Sequence, residues 1–491
     1  MALEMEKVLI RKIKMRKTLI ILFGIILNAG FSQELSKKIN LNLSKKTEIF
    51  QIVENEKNSV TFFLTDKKNC KSIRLNENFE INDSLSTQIP SKNFNEIVGY
   101  SSKGNIYFTY WSSSNNKEIF SQCYDFDTKQ VTSKSFDLVY EKERVLKKIT
   151  VNNDFYIITV LKNTSILNFY KFNDGNLVKE TVDLTNNKFL NSENRLVKLW
   201  DVFNEGFMYE PSFMPQTISN ESPPSLVFSS PKRKVYTSGN KIIFSSDIST
   251  TFTQLLTINL DDFTGETKTF NQPFLKSSGE YNVEDSNSFF INENLIQSKL
   301  NPEKMIISIK KLDGSEIKKF EIISDSPIDF KNSEIIQENG SVKNTRILDN
   351  SNQLLRKIFN QYPSLSCYNY NNKNYFTIGS VSPPSQNAAV TGAMIGGLTG
   401  AIIGMAISSN YSVNNLNSYN GRKIVYINCL FDENFNHING DLKKLAFDEL
   451  RAFYEKNNEL TSKTIFKIKS NLYFGGYNKE EKSYMLYKFN D

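Results

Sequence analysis

Histidine is almost missing: the 491-residue chain holds one, His437, in the turn-like stretch NHING. An imidazole metal site needs several ring nitrogens and a Ser-His-Asp arrangement needs one beside a nucleophile, so His437 reads as a loop residue. Cys70, Cys123, Cys367 and Cys429 stand far apart with no CxxC pair, which excludes a zinc ribbon or a thioredoxin-like site. Tryptophan is confined to Trp111 and Trp200, and alanine is scarce outside one segment, which argues against a helical bundle. No G-x-S-x-G elbow, H-E-x-x-H helix, P-loop, dinucleotide fingerprint or calcium loop is present. A basic block is absent as well. The net charge is +7, but residues 1–32 supply +4 of it, and the small remainder is too thinly spread to recruit nucleic acid. These absences lead us to expect no cofactor, no metal, no nucleic acid and no catalytic residue recognisable by motif. Paired carboxylates leave no local signature, so an enzyme acting on glycans stays open as the alternative.

What the chain does have is aromatic residues, 37 Phe and 22 Tyr, and a repeat. An Asn-led turn followed by an aromatic-rich strand begins at Asn58, Asn105, Asn153, Asn240, Asn287, Asn374 and Asn471. Three of the steps are close to 47 residues, the length of one four-stranded propeller blade. The longer steps leave room for a degenerate blade or an insertion. Alternating strands joined by tight turns follow the copies, with Asp174-Gly175 and Asp313-Gly314 as hairpin formers. The expected fold is therefore an all-β propeller of seven or eight four-stranded blades over residues 33–491. Cys70, Cys123 and Cys429 fall at similar places in the repeat, too far apart to bridge, and read as small buried hydrophobes. The chain stops at YMLYKFND, a hairpin without its second strand, so the segment KKINLNLSKKTEIFQIV near the N-terminus is expected to close the ring. That device resembles the closure of many propellers.

Three segments break the repeat. Residues 185–232 contain the Pro/Ser-rich SFMPQTISNESPPS, read as a loop. Short amphipathic helices are expected within 341–366 and 441–457, packed on the repeat body.

Residues 1–32 have a basic start, an apolar run from Leu19 to Leu27, and Gly30 and Ser32 placed for cleavage before Gln33. That is the layout of a secretory signal peptide. With the Lys and Asn richness and the FSQ ending, it resembles exported proteins of Bacteroidetes-type bacteria, which implies the periplasm, outer membrane or cell surface.

Residues 388–409, AAVTGAMIGGLTGAIIGMAISS, stand apart. Gly392, Gly396, Gly400 and Gly404 recur every fourth residue and Ser408 continues the row, giving one small-residue face on a helix. The stretch resembles the glycine zippers of bacterial envelope and pore-forming proteins, which implies membrane association or self-association. We expect it to form a hydrophobic insertion over 382–412 within a late blade. The functional expectation is a non-catalytic envelope binding or scaffold protein with a protein partner, or copies of itself, and a membrane nearby.

Overall fold

The computed structural model describes residues 33–44, 46–91, 93–113, 117–207, 210–276, 283–383 and 411–490. Among these, seven sheets of four or five strands, antiparallel except for one short strand, follow one another around a ring, and an eighth sheet is only a two-stranded ribbon. The first blade shows the pattern: β2 (Glu48–Glu54), β3 (Ser59–Thr65), β4 (Asn69–Leu75) and β5 (Ile81–Gln88) pair in sequence order. The second, third and fifth blades repeat it over 94–137, 143–183 and 285–323. Burial orders the strands from axis to rim. In the third blade β11 (Asp154–Leu161) is buried along nearly its whole length, whereas the last strand, β13 (Asn176–Asp183), is mostly exposed.

Aromatic rings join neighbouring blades. Phe63 meets Tyr124 at 5.0 Å, Tyr110 meets Phe155 at 5.0 Å, Tyr236 meets Phe289 at 5.8 Å and Phe320 meets Phe431 at 4.9 Å. Phe62 against Phe466, 5.8 Å apart, joins the first blade to the last and completes the circle. The abundance of Phe and Tyr thus has a structural cause: flat rings fill the wedge between twisted sheets and gain edge-on contacts.

The ring closes through β1 (Gln33–Asn40), which pairs antiparallel with β32 (Ser483–Phe489), Ile39 opposite Tyr484. It becomes the outermost strand of the seventh blade, behind β30 (Thr461–Ile468) and β31 (Asn471–Asn478). The expected closing segment is split. Its first half closes the ring, while its second half is β2, the inner strand of the first blade.

Six of the seven repeat copies mark the second strand of a blade. The copy at Asn287 instead lies inside β21 (Asp285–Ile291), an inner strand, and the second strand there, β22, starts at Asn294. Seven copies correspond to the seven larger sheets, and the two-stranded ribbon, Phe189–Leu190 with Leu196–Val197, lies within the first long step. The sixth blade is also rearranged. Its sheet runs β26 (Thr345–Leu348), β25 (Ile335–Asn339), β29 (Lys423–Phe431), β28 (Lys373–Val381) and β27 (Tyr362–Tyr370), so its outer strands precede the inner one in the chain. Gly379 is required where β28 crosses β29, because a Cβ there would lie 1.9 Å from the Val425 carbonyl oxygen. Asp174 and Gly175 both take positive φ, 47° and 71°, in the two-residue turn expected of them.

Among the described residues five short helices decorate the ring: α1 (Leu199–Asn204), α2 (Leu226–Ser229), α3 (Ser351–Phe359), α4 (Tyr411–Asn417) and α5 (Ala446–Lys456). α3 and α5 are the two amphipathic helices expected. Leu354, Leu355 and Ile358 of α3 enter the core of the fifth and sixth blades, and Leu450 and Phe453 of α5 pack on the seventh. The four cysteines are free thiols, three of them buried. Burial pushes the Cys70 thiol up to about 12, which suits a packing role. His437 sits in a loop, its Nε2 3.1 Å from the Asn332 Oδ1.

Candidate functional site: the filled centre of the ring

Seven inner strands face the axis: β2, β6 (Phe94–Lys103), β10 (Glu143–Val151), β17 (Arg233–Ser238), β21, β27 and β30. The Pro/Ser-rich segment read as a loop lies among them. Gln216 and Thr217 form β16, parallel to β17 on its axis side. The chain then reaches the sixth blade, where the Ser364 and Ser366 hydroxyls donate to the Leu226 and Pro224 carbonyls, each at 2.7 Å. Proline lacks a donor, so this stretch cannot extend as sheet, and side chains satisfy its carbonyls instead. Asn415 of α4 does so twice over: its Nδ2 donates to the Pro223 carbonyl and its Oδ1 accepts from the Ser225 N–H, both at 2.8 Å.

Three consecutive cations anchor the segment's return into the fourth blade, each to its own carboxylate. Lys232 Nζ lies 2.6 Å from Asp285 in the fifth blade. Arg233 Nε donates to Glu210 at 2.8 Å, and its Nη1 donates to the Val202 and Phe203 carbonyls of α1. Lys234 Nζ lies 3.3 Å from Asp247, which also accepts from Thr253 Oγ1 and from the Ser288 N–H and Oγ. Burial lowers the Lys234 pKa while Asp247 pulls it back up. A buried carboxylate with this many donors is structurally saturated.

A second set of groups has pKa values moved toward neutrality. A bulge between Val145 and Lys147 in β10 shifts the register there, and Lys147 and Lys148 are both buried. Burial draws Lys147 down to about 7; its Nζ donates to the Pro215 carbonyl at 3.3 Å. Burial draws Lys148 to about 8 against the attraction of Glu96, and its Nζ donates to Ser112 Oγ at 2.7 Å. Burial, then repulsion from Glu96, raises Glu48. Glu221, in the central segment, keeps contact with solvent while protein surrounds it; that enclosure raises its carboxyl and the distant Lys467 opposes the rise. Lys467 donates to the Tyr368 hydroxyl at 3.2 Å, and Tyr368 stacks on Tyr370 with centroids 6.5 Å apart. The shifted groups come from several blades and engage different partners.

The residues singled out in the sequence, Gly392, Gly396, Gly400, Gly404 and Ser408, lie outside the described residues, as do residues 1–32. The flanks of the insertion are described. It interrupts the sixth blade between β28 and β29, whose ladder runs to Val381 opposite Ile424. The Ser382 N–H then donates to the Lys423 carbonyl at 2.8 Å, so the two ends meet in one hairpin. Among the described residues no helix is long and apolar enough to cross a membrane. Sequence reasoning missed the central segment and the Lys232-Arg233-Lys234 triplet. The signal available was the proline cluster running directly into three cations at the start of a strand.

No family model matches the chain, and no curated protein matches it. Among solved structures, it is similar to the dihydro-heme d1 dehydrogenase NirN at 8% identity, over 54% of this chain and 45% of that one, with a TM-score of 0.25. It is similar to a mutant Synechocystis apocarotenoid oxygenase at 7% identity, over 55% and 60%, with a TM-score of 0.28. A Lactobacillus plantarum protein matches at 8% identity, over 68% and 79%, with a TM-score of 0.25. The match thus covers about half of the first enzyme and three-fifths of the second. Likeness at this level carries no functional argument, and the assignment as a closed seven-bladed β-propeller rests on the sheet order and the β1–β32 pairing.

Proposed function

We propose that this protein is an exported, non-catalytic binding or scaffold protein of the bacterial cell envelope, attached to a membrane or to copies of itself through residues 388–409. The observation that carries the reading is the filled centre. The position where a propeller would open onto its axis is occupied by the chain's own residues 215–229, with Lys147 donating to the Pro215 carbonyl and Lys232, Arg233 and Lys234 anchoring the segment's return. Such a ring offers surfaces and loops to a partner. The meeting of Ser382 and Lys423 supports an apolar insertion that leaves and returns on one side of the disc. Cell fractionation with and without residues 386–410 tests attachment: loss from the membrane fraction, or loss of oligomers, is expected on deletion, and unchanged partitioning and size would overturn it. The leader is tested by sequencing the mature N-terminus, expected at Gln33.

A second reading, an enzyme acting on glycans through carboxylates, is favoured by Glu221 alone, a centrally placed carboxyl whose pKa the surrounding protein raises. It requires glycan turnover by the purified protein that Glu221→Gln abolishes.

A further inference from the structure

The two faces of the disc differ. The upper face is defined here as the end where the inner strands begin. Of the large hydrophobic side chains most exposed among the described residues, four lie at this end in the links from one blade's outer strand to the next blade's inner strand, and a fifth ends the outermost strand β24 (Glu316–Ile323) there. They are Val139, Leu196, Phe274, Val283 and Ile323. Phe274 is 83% exposed, Leu196 68% and Val283 66%. At the opposite end, where Asn-, Asp- and Gly-rich turns dominate, Ile81 alone is comparable. Leu35, Val178 and Ile347 sit on the rim, in outermost strands. Single exposed hydrophobes need no explanation, but their gathering on one end of successive blades does.

The insertion leaves from that same end. Val381 pairs with Tyr362, the first residue of inner strand β27, and Ile424 pairs with Val381. Residues 384–410 lie between, in a stretch without Asp, Glu, Lys, Arg or His from Asn374 to Gly421. The ends of the apolar insertion and the exposed apolar side chains thus belong to one face. Exposed Lys142, Lys198 and Lys276 stand within three residues of Val139, Leu196 and Phe274, as suits an interfacial surface. Glu141, Glu193 and Glu284 are interspersed, so apolar contact carries more of the attraction than charge.

We infer that the upper face is the lipid-facing side of the disc, with Leu196, Phe274 and Val283 inserting into the bilayer interface on the same face from which the apolar insertion departs. The inference rests on the membrane form of the proposed function and fixes its orientation. The full mature chain is tested by flotation with phosphatidylcholine vesicles containing phosphatidylglycerol. Leu196→Ser/Phe274→Ser/Val283→Ser should weaken binding about tenfold or more, since each side chain forfeits apolar burial. Phe274→Trp should be quenched by brominated phosphatidylcholine and Ile81→Trp should not; the native Trp111 and Trp200 are buried and provide a constant background. A wild-type chain that stays off vesicles overturns the membrane reading and this orientation together. A wild type that floats, with the triple variant floating equally or with Ile81→Trp quenched instead, overturns the orientation alone.

Discussion

Removing β1 should unlatch one blade while leaving the others folded. Ile39 is the strand's main apolar contribution, 6% exposed in a cluster with Ile49, Phe62 and Tyr484. Ile39→Ala deletes buried carbon and leaves a cavity, at a cost of about 2–4 kcal/mol. Unfolding entropy scales with chain length, so in a cooperative ring of this size a kilocalorie moves the melting temperature by only about 1 °C. The expected fall is therefore about 2–4 °C. Leu35 lies on the same strand but is 49% exposed, and Leu35→Ala should change stability by about 0.5 kcal/mol or less. Deleting residues 33–40 goes further and bares the edge of β32. Native-state hydrogen exchange should then show residues 483–489 losing protection while 154–161, in the third blade, keep theirs, and the open edge should lower solubility. Equal protection of 483–489 in the deletion and the intact chain would refute closure by this strand. So would equal melting shifts for Ile39→Ala and Leu35→Ala.

Asp247→Asn strands the Lys234 ammonium in the interior and should cost about 3–5 kcal/mol in denaturant unfolding, whereas Asp174→Asn, which breaks only the exposed pair with Lys103, should cost under about 1 kcal/mol. Lys147 and Lys148 have folded pKa values of about 7 and about 8, below those of an unfolded lysine, so the unfolded chain binds more protons from about pH 7 upward. Stability should therefore rise from about pH 7 to about pH 10, where ionisation of tyrosines in the unfolded chain reverses the slope. Lys147→Met should stabilise the protein at neutral pH and flatten that rise, and an unchanged slope in thermal scans across the window would contradict the assignment. Gly379→Ala forces β28 away from β29 and should destabilise the sixth blade by more than about 2 kcal/mol, detected as lost exchange protection at 423–431.

The parts of the fold legible in the sequence are those governed by near neighbours. Alternating aromatics, Asn-led turns and the Asp174-Gly175 pair are decided within a few residues, and six of seven second strands follow from them. Asn287 misled because NSFFI and NENLIQ are adjacent stretches with the same Asn-plus-apolar character, and only pairing across the sheet tells inner strand from second strand. The amphipathic faces of α3 and α5 were readable because burial follows the helical period. The central segment was not. Pro215, Pro223 and Pro224 announce irregular backbone, but whether such backbone lies on the surface or at the axis depends on Ser364, Ser366 and Asn415, which are about 140 to 200 residues away. The rearranged sixth blade was hidden for the same reason.

The β1–β32 latch also sets when folding can finish. Gln33 pairs with Phe489, so the outermost strand of the last blade is the first piece of the ring to be synthesised and must wait for the final strand. β25 waits similarly for β29 across α3, three other strands and the whole insertion. Contacts this distant in sequence form slowly because long loops must close before any pairing rewards them. On the export proposed above, a chain threaded through a membrane as an unfolded polymer gains from that delay: the ring cannot lock until β32 has been released.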